Sequence, residues 1–291
     1  MADRLLVHQA LWAMDGLTAP EASMSEKFDR VLKAGFDGMA IDLGALSMAQ
    51  AETSVAQFAR TGLAGALTAF PTSIEGLRPA LRLAQRIAAP FVVVIGQMMP
   101  VRLEEMVPLI EGWLRVAEQE RMPIQFETHR NCITNDLYTT VQLLEAVPEM
   151  RLSADLSHYV VDREMPCPPP PSLEALIANL LQRADSFQGR IAARGQIQVA
   201  LRFPQNAKWV TLFQRWWRQG FASWRTRHGA DTAALAFICE LGPPDYAITD
   251  RDGHELSDRW AESIQLAQWA RQIWSEAGGP LNPLQSSHSR P

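Results

Sequence analysis

Short apolar runs alternate along the chain with longer stretches of helical period. The runs lie at residues 5–8, 38–42, 63–70, 91–95, 123–129, 151–155, 187–191 and 234–241. Their length and richness in Val, Ile, Leu and Phe suit strands covered on both faces. Between them, segments 21–34, 48–60, 74–88, 103–120, 135–146, 173–183, 206–227 and 257–274 carry helical spacing or helix-forming composition. Boundary signals agree in places: Gly35 follows the first helical segment, and Thr134 or Asn135 is placed to cap the fifth.

Eight strands, each followed by a helix, predict an α/β fold, a single (β/α)8 TIM barrel. A doubly wound open sheet is the competing architecture. It would place a glycine-rich phosphate turn after the first strand, where this chain has His8-Gln9-Ala10-Leu11-Trp12. The barrel is therefore expected over residues 1–277, with a flexible Gly-, Pro- and Ser-rich tail over 278–291. Pro166-Cys167-Pro168-Pro169-Pro170-Pro171 reads as a stiff loop before the sixth helix, with Ser172 as its N-cap.

Strand residues of a barrel alternate between the interior and the helix layer, so inward polar residues call for a reason. Gln125, Glu127 and His129 share one face of strand five. Ser153 and Asp155 share a face of strand six, with His158 just beyond, and strand seven offers Gln188 and Arg190. Strand eight reaches Glu240 after a wholly apolar approach. Glu127, Asp155 and Glu240 are thus expected at the C-terminal rim, where barrel active sites lie. Three anions in a poorly solvated cavity need a compensating cation. A divalent metal supplies it most simply, and an oxygen-rich ligand set favours Mn²⁺ or Mg²⁺ over Zn²⁺. The plainer alternative pairs each carboxylate separately with an arginine, or leaves it to cap a helix.

Composition narrows the classes further. The 291 residues are 47% hydrophobic and 20% charged, with a formal net charge of -5. That excludes wholesale disorder and argues against a dedicated nucleic-acid binder. Only Lys27, Lys33 and Lys208 are lysines, and none is placed for imine chemistry. Cys132, Cys167 and Cys239 are far apart and outside any metal or disulfide spacing, which points to a reducing cytoplasm. Cys132 reads as a quiet thiol, and His254 and His288 as surface residues. The N-terminus reads as a first strand and not a signal peptide, and no run approaches the roughly 18 apolar residues of a membrane span. The aromatic and arginine-rich segment 209–228 fits an amphipathic helix better than a nucleic-acid surface, with Trp209, Phe213, Trp216, Trp217 and Phe221 on or beside its buried stripe. An apolar patch at Trp216 and Trp217 could instead serve a homo-oligomer.

Several segments together resemble a known family. Ala34-Gly35-Phe36-Asp37-Gly38, Glu127-Thr128-His129-Arg130, Ala154-Asp155-Leu156-Ser157-His158 and Cys239-Glu240-Leu241-Gly242-Pro243-Pro244 are similar to xylose isomerase-like TIM barrels, the sugar phosphate isomerase/epimerase group. The resemblance implies one divalent ion held by Glu127, Asp155 and Glu240, with a strand-seven ligand at Gln188 where the family carries histidine. It also implies a small-molecule sugar substrate touched by His158 and Arg194, the latter six residues past the strand-seven ligand. Glu127 and Glu240 are the expected acid/base pair, abstracting and returning a proton beside a carbonyl through an enediolate. His129, His158, Arg190 and Arg194 are expected to hold substrate oxygens, and His8 and Trp12 to wall the sugar or merely pack the rim. The expected activity is an isomerase or epimerase. A lyase eliminating from a keto-sugar glycoside needs the same residues, and Gln188 keeps open a non-catalytic sugar-binding barrel.

Overall fold

In the computed structural model, which describes residues 4–228 and 234–277, eight parallel strands close into a barrel in chain order. The first half of the chain supplies β1 (Arg4–Ala10), α1 (Met24–Lys33), β2 (Gly38–Asp42), α2 (Met48–Glu52), α3 (Ser54–Thr61), β3 (Ala64–Ala69), α4 (Arg78–Arg86), β4 (Val92–Val94) and α5 (Leu103–Glu120). The second supplies β5 (Ile124–Glu127), α6 (Leu137–Ala146), β6 (Leu152–Ala154), α7 (Leu156–Asp162), α8 (Pro171–Leu181), β7 (Ala184–Gly189), α9 (Ala207–His228), β8 (Ala234–Cys239) and α10 (Arg259–Ala277). The expected tail beyond residue 277 lies outside the described residues, as does His288.

Alternation along the strands divides the core in two. Val7, Met39, Ile41, Leu67, Val92, Val94, Phe126, Leu152, Phe187 and Phe237 face outward and pack with the helices. Ala10, Ala40, Ala66, Phe91, Val93, Ala236 and Ile238 fill the interior. On β5 to β7 the interior positions are polar instead: Gln125, Glu127, Ser153, Ser186 and Gln188 are all buried. Polar groups at that depth must satisfy one another. Ser186 Oγ donates to Gln125 Oε1, and Gln188 Nε2 donates to both Glu127 Oε2 at 3.1 Å and Ser153 Oγ at 3.3 Å. Hydrogen-bonded polar side chains therefore line the interior of β5 to β7 from mid-barrel to the rim.

Two glycines admit close approaches. In the pairing of β1 with β2, His8 lies opposite Gly38; a Cβ there would fall 2.2 Å from His8 Cδ2 and 2.5 Å from the Ala64 carbonyl oxygen. The imidazole occupies the space that a side chain at 38 would need. On α9, a Cβ at Gly220 would fall 2.4 Å from Phe187 Cζ, so the missing side chain lets this helix pack against β7. The aromatic stripe of α9 is wholly internal, with Trp216, Trp217 and Phe221 at 0% exposure. A surface for oligomerisation at Trp216 and Trp217 is thereby ruled out.

Local boundaries differ from the sequence expectation for identifiable reasons. Segment 48–60 divides at Thr53 into α2 and α3. Helix α6 is capped by Asp136, whose Oδ1 accepts from Tyr138 and Thr139 N–H groups. Thr134 is unavailable because its hydroxyl donates to the Glu127 carbonyl, and Asn135 Oδ1 accepts from Asn131 N–H at 2.6 Å. Helix α8 starts at Pro171, with Pro170 and not Ser172 as N-cap. Proline tolerates the first helical turn because its missing N–H would have no partner there. Strand β7 begins three residues early, since Ala184 and Ser186 are recruited by β6 and β8 despite their weak strand preference. The short α7 was not anticipated.

Candidate functional site

The C-terminal ends of β5 to β8 bring Glu127, Asp155, Gln188, Arg190 and Glu240 together, and all five are buried. One oxygen each of Glu127, Asp155 and Glu240 lies within 4.8 Å of the others. A second grouping joins Glu127 to His129 and His158, again with ligand atoms within 4.8 Å of one another. Each carboxylate is anchored by a neutral donor. Glu127 Oε2 accepts from Gln188, and Glu240 Oε1 accepts from Trp12 Nε1 at 3.2 Å. Asp155 is the N-cap of α7, and its Oδ1 accepts from Ser157 N–H at 2.9 Å and from the Ser157 hydroxyl at 2.5 Å. The helix start and the acidic cluster thus share one residue.

Arg190 crosses the cluster. Its Nη2 donates to Asp155 Oδ2 at 2.9 Å and to Glu240 Oε2 at 3.0 Å, while Nε reaches the same Asp155 oxygen at 3.2 Å. The plainer alternative is met in part: a single arginine, shared and not separate, pairs with two of the three carboxylates, and Asp155 also caps a helix. Among the described residues Glu127 has no such partner. Burial, and then the charges of Glu240 and Asp155, raise its pKa well above the usual carboxylate range. Burial also raises Glu240, to about 7, against the opposing pull of Arg190.

The two histidine rings lie beside the cluster, tilted 42° to each other with centroids 3.9 Å apart. His158 Nδ1 accepts from Arg130 N–H at 3.3 Å, which puts the ring proton on Nε2, 3.4 Å from Asp155 Oδ2. Desolvation lowers the pKa of both rings, that of His129 to about 4. Both are neutral imidazoles near pH 7.

Above the cluster opens a cavity of about 260 Å³. Trp12, Phe70, Ile95 and Tyr246 give it apolar walls, and Asp42, His129, Arg190 and Glu240 give it polar ones. Trp12 and Tyr246 meet edge to face at 5.4 Å, and the Arg190 guanidinium lies 5.2 Å from the Tyr246 ring centroid. Arg259 fixes this wall from below, donating to the Ala13, Asp15 and Leu241 carbonyls and so tying the loop after β1 to the loop after β8. Gln198 bonds both the N–H and the carbonyl of Gly242.

Three expected contacts stand outside the cavity lining. Arg194 is mostly exposed and pairs with Glu164 at 3.3 Å, so its side chain is drawn to solvent and away from the cavity. His8 is fully buried against Gly38 and does not line the cavity. His158 also lies beneath the lining, behind His129. Cys132 is buried among hydroxyl and carbonyl neighbours, its thiol pushed up to about 11 by desolvation, which makes it a poor nucleophile.

The structure adds Asp42, Phe70 and Tyr246 to the expected wall. Asp42 has the same inward parity as Ala40, so alternation alone could have found it. Its Oδ1 accepts from the Gly44 and Ala45 N–H groups, and burial raises its pKa to about 6. Tyr246 comes from an irregular loop and left no comparable signal.

The residues present fit a divalent ion. Gln188 uses its amide N–H₂ on Glu127 and Ser153, which leaves Oε1 a buried acceptor without a partner among the described residues, beside a carboxylate cluster. An all-oxygen set of this kind suits Mg²⁺ or Mn²⁺.

No family model matches the chain, and no curated protein matches it. Solved structures do. An L-ribulose 3-epimerase is similar at a TM-score of 0.59 and 14% identity, over 99% of this chain and 100% of that one. A xylose isomerase-like TIM barrel protein from Mycobacterium smegmatis, in complex with magnesium, matches at 0.59 and 13%, over 93% and 98%. A sugar phosphate isomerase/epimerase from Parabacteroides distasonis ATCC 8503 matches at 0.61 and 10%, over 94% and 96%. These likenesses show a shared (β/α)8 barrel fold. Among the described residues no helix is long and apolar enough to cross a membrane.

Proposed function

We propose that this barrel is a divalent-metal-dependent isomerase or epimerase of a sugar or sugar derivative. The observation that carries the reading is the convergence of three buried carboxylates and the unpartnered Gln188 Oε1 under an aromatic-walled cavity. Structural neighbours that act on sugars support it. Glu127, Asp155, Gln188 and Glu240 would hold the ion, Mn²⁺ or Mg²⁺. When bound, it would draw charge from a substrate carbonyl and acidify the proton on the adjacent carbon.

The remaining work falls to this chain's own side chains. Glu127 and Glu240 arrive from β5 and β8, strands that are not neighbours in the barrel, so one would take the proton while the other returns it. Return to the same carbon from the other face inverts it, and return to the neighbouring carbon moves the carbonyl. His129, uncharged and on the cavity wall, is suited to hold a substrate hydroxyl, and Trp12 both shields the substrate from water and orients Glu240 through its indole N–H.

The test is proton exchange. With Mn²⁺ in deuterated water, a panel of ketoses is followed by NMR for deuterium beside the carbonyl. Exchange is expected with the wild type, and a loss on the order of 10²–10⁴-fold in Glu127→Gln and in Glu240→Gln. Metal-saturated protein that exchanges no ketose would sink the proposal. A second reading, a sugar-binding barrel without turnover, draws on the Arg190 bridge between Asp155 and Glu240. It predicts calorimetric binding of a ketose with no exchange.

A further inference from the structure

The three carboxylates each have one oxygen held by a neutral donor, so Arg190 is not the sole anchor of any of them. Gln188 holds Glu127 through Oε2, Ser157 holds Asp155 through Oδ1, and Trp12 holds Glu240 through Oε1. The remaining oxygens of Asp155 and Glu240 face the middle of the cluster, and there both accept from a single nitrogen, Arg190 Nη2, at 2.9 and 3.0 Å. The guanidinium is 2% exposed, so its charge is scarcely screened by water. It is also incompletely bonded where it lies, since Nη1 is buried with no partner among the described residues. Arginine cannot shed its proton in this range, so the positive charge is permanent.

Resting on the metal reading above, we infer that Arg190 is a built-in competitor of the divalent ion: guanidinium and ion contend for Asp155 Oδ2 and Glu240 Oε2. Two cations cannot share the same lone pairs at contact distance. Arg190 therefore keeps the acidic cluster assembled in the absence of metal, and the ion binds only as far as the arginine yields. The Tyr246 ring, 5.2 Å from the guanidinium carbon, borders the cavity and offers a face on which the displaced cation is stabilised. There it meets whatever substrate oxygens the cavity admits. The arrangement inverts the usual expectation for a charged residue in an active centre. Removing an arginine that merely supports the ligands should weaken metal binding, whereas removing a competitor should tighten it.

The experiment titrates chelator-treated wild type, Arg190→Gln and Arg190→Lys with Mn²⁺ by calorimetry, and records the melting temperature with and without the ion. The expected result is a Kd for Arg190→Gln at least about tenfold below wild type, with Arg190→Lys falling nearer wild type because it keeps the charge. Metal-free Arg190→Gln should melt below wild type and gain more from Mn²⁺. A Kd unchanged or raised in Arg190→Gln, with wild type binding Mn²⁺, overturns the competition and leaves the metal reading standing. Should neither protein bind Mn²⁺ at millimolar concentration, the metal reading fails and takes this inference with it. If Arg190→Gln folds only with Mn²⁺ present, its affinity is read by back-titration with a chelator. Failure to fold even then also overturns the inference, because the ion would not be replacing the guanidinium.

Discussion

His8 offers a quantitative check on the barrel interior, because it is a titratable group with no assigned role in the chemistry. Its ring is wholly buried between β1 and Gly38, and neither nitrogen makes a hydrogen bond of good geometry. Burial lowers its pKa from 6.5 to about 4, with Leu6 and Asp37 offsetting only part of that effect. A histidine whose folded pKa is depressed binds its proton more readily in the unfolded chain, so its contribution falls as pH drops below 6.5 and levels off near 4. Between roughly pH 7.5 and pH 5 this amounts to about 2 kcal/mol of stability lost through one residue. The Leu variant, His8→Leu, keeps an apolar side chain of comparable bulk and cannot titrate. Urea midpoints at several pH values, taken without metal and converted with a shared slope, give the stability of both proteins. Subtracting the variant from the wild type cancels the other buried histidines and the raised carboxylates. The difference should shift against the wild type by about 2 kcal/mol on acidification across that window. A difference that stays flat to within about 0.5 kcal/mol would refute the account of a neutral, unpartnered imidazole in the barrel.

Gly38→Ala places a methyl 2.5 Å from the Ala64 carbonyl oxygen, which cannot turn aside, as well as 2.2 Å from His8. A destabilisation toward the upper end of the usual 1–3 kcal/mol range (roughly) is expected by thermal or urea unfolding, and His8→Leu should relieve only part of it. Arg194→Ala should leave ketose exchange within about twofold of wild type, because the side chain pairs with Glu164 and does not line the cavity; a loss beyond tenfold would mean that Arg194 swings into the cavity with substrate. Gln188→His removes the amide that holds Glu127 and supplies an imidazole, so competition titrations should show preference moving from Mg²⁺ toward Zn²⁺ or Co²⁺. An unchanged metal order would place Gln188 outside the ion's ligand set.

Much of this protein was readable before any coordinates. The period of eight apolar runs and eight helical segments carried the closed barrel, since an α/β repeat of that count has few other ways to bury both faces of its strands. Inward alternation was enough to bring Glu127, Asp155, Gln188 and Glu240 to one rim, because each lies at a position where strand parity leaves the side chain nowhere else to point. The same rule would have found Asp42. Helix α5 was read to its observed ends, Leu103–Glu120, because a long amphipathic pattern leaves little freedom in its boundaries.

What parity could not decide was what each polar group would pair with once there. Arg190 and Arg194 are alike in sequence, four residues apart in one loop region. The first turns into the barrel because two carboxylates with spare lone pairs wait across β6 and β8, and the second turns out because Glu164 meets it in solvent. Asp155 doubles as a helix cap, and Thr134 spends its hydroxyl on a strand carbonyl; both choices follow from partners distant in the chain. The amino-acid sequence by itself determined the barrel, its polar side and the acidic rim, since these follow from local period and alternation. Only the tertiary structure decided that an arginine of the chain's own already lies among those acids, because a buried charge is placed by whichever partners surround it in space.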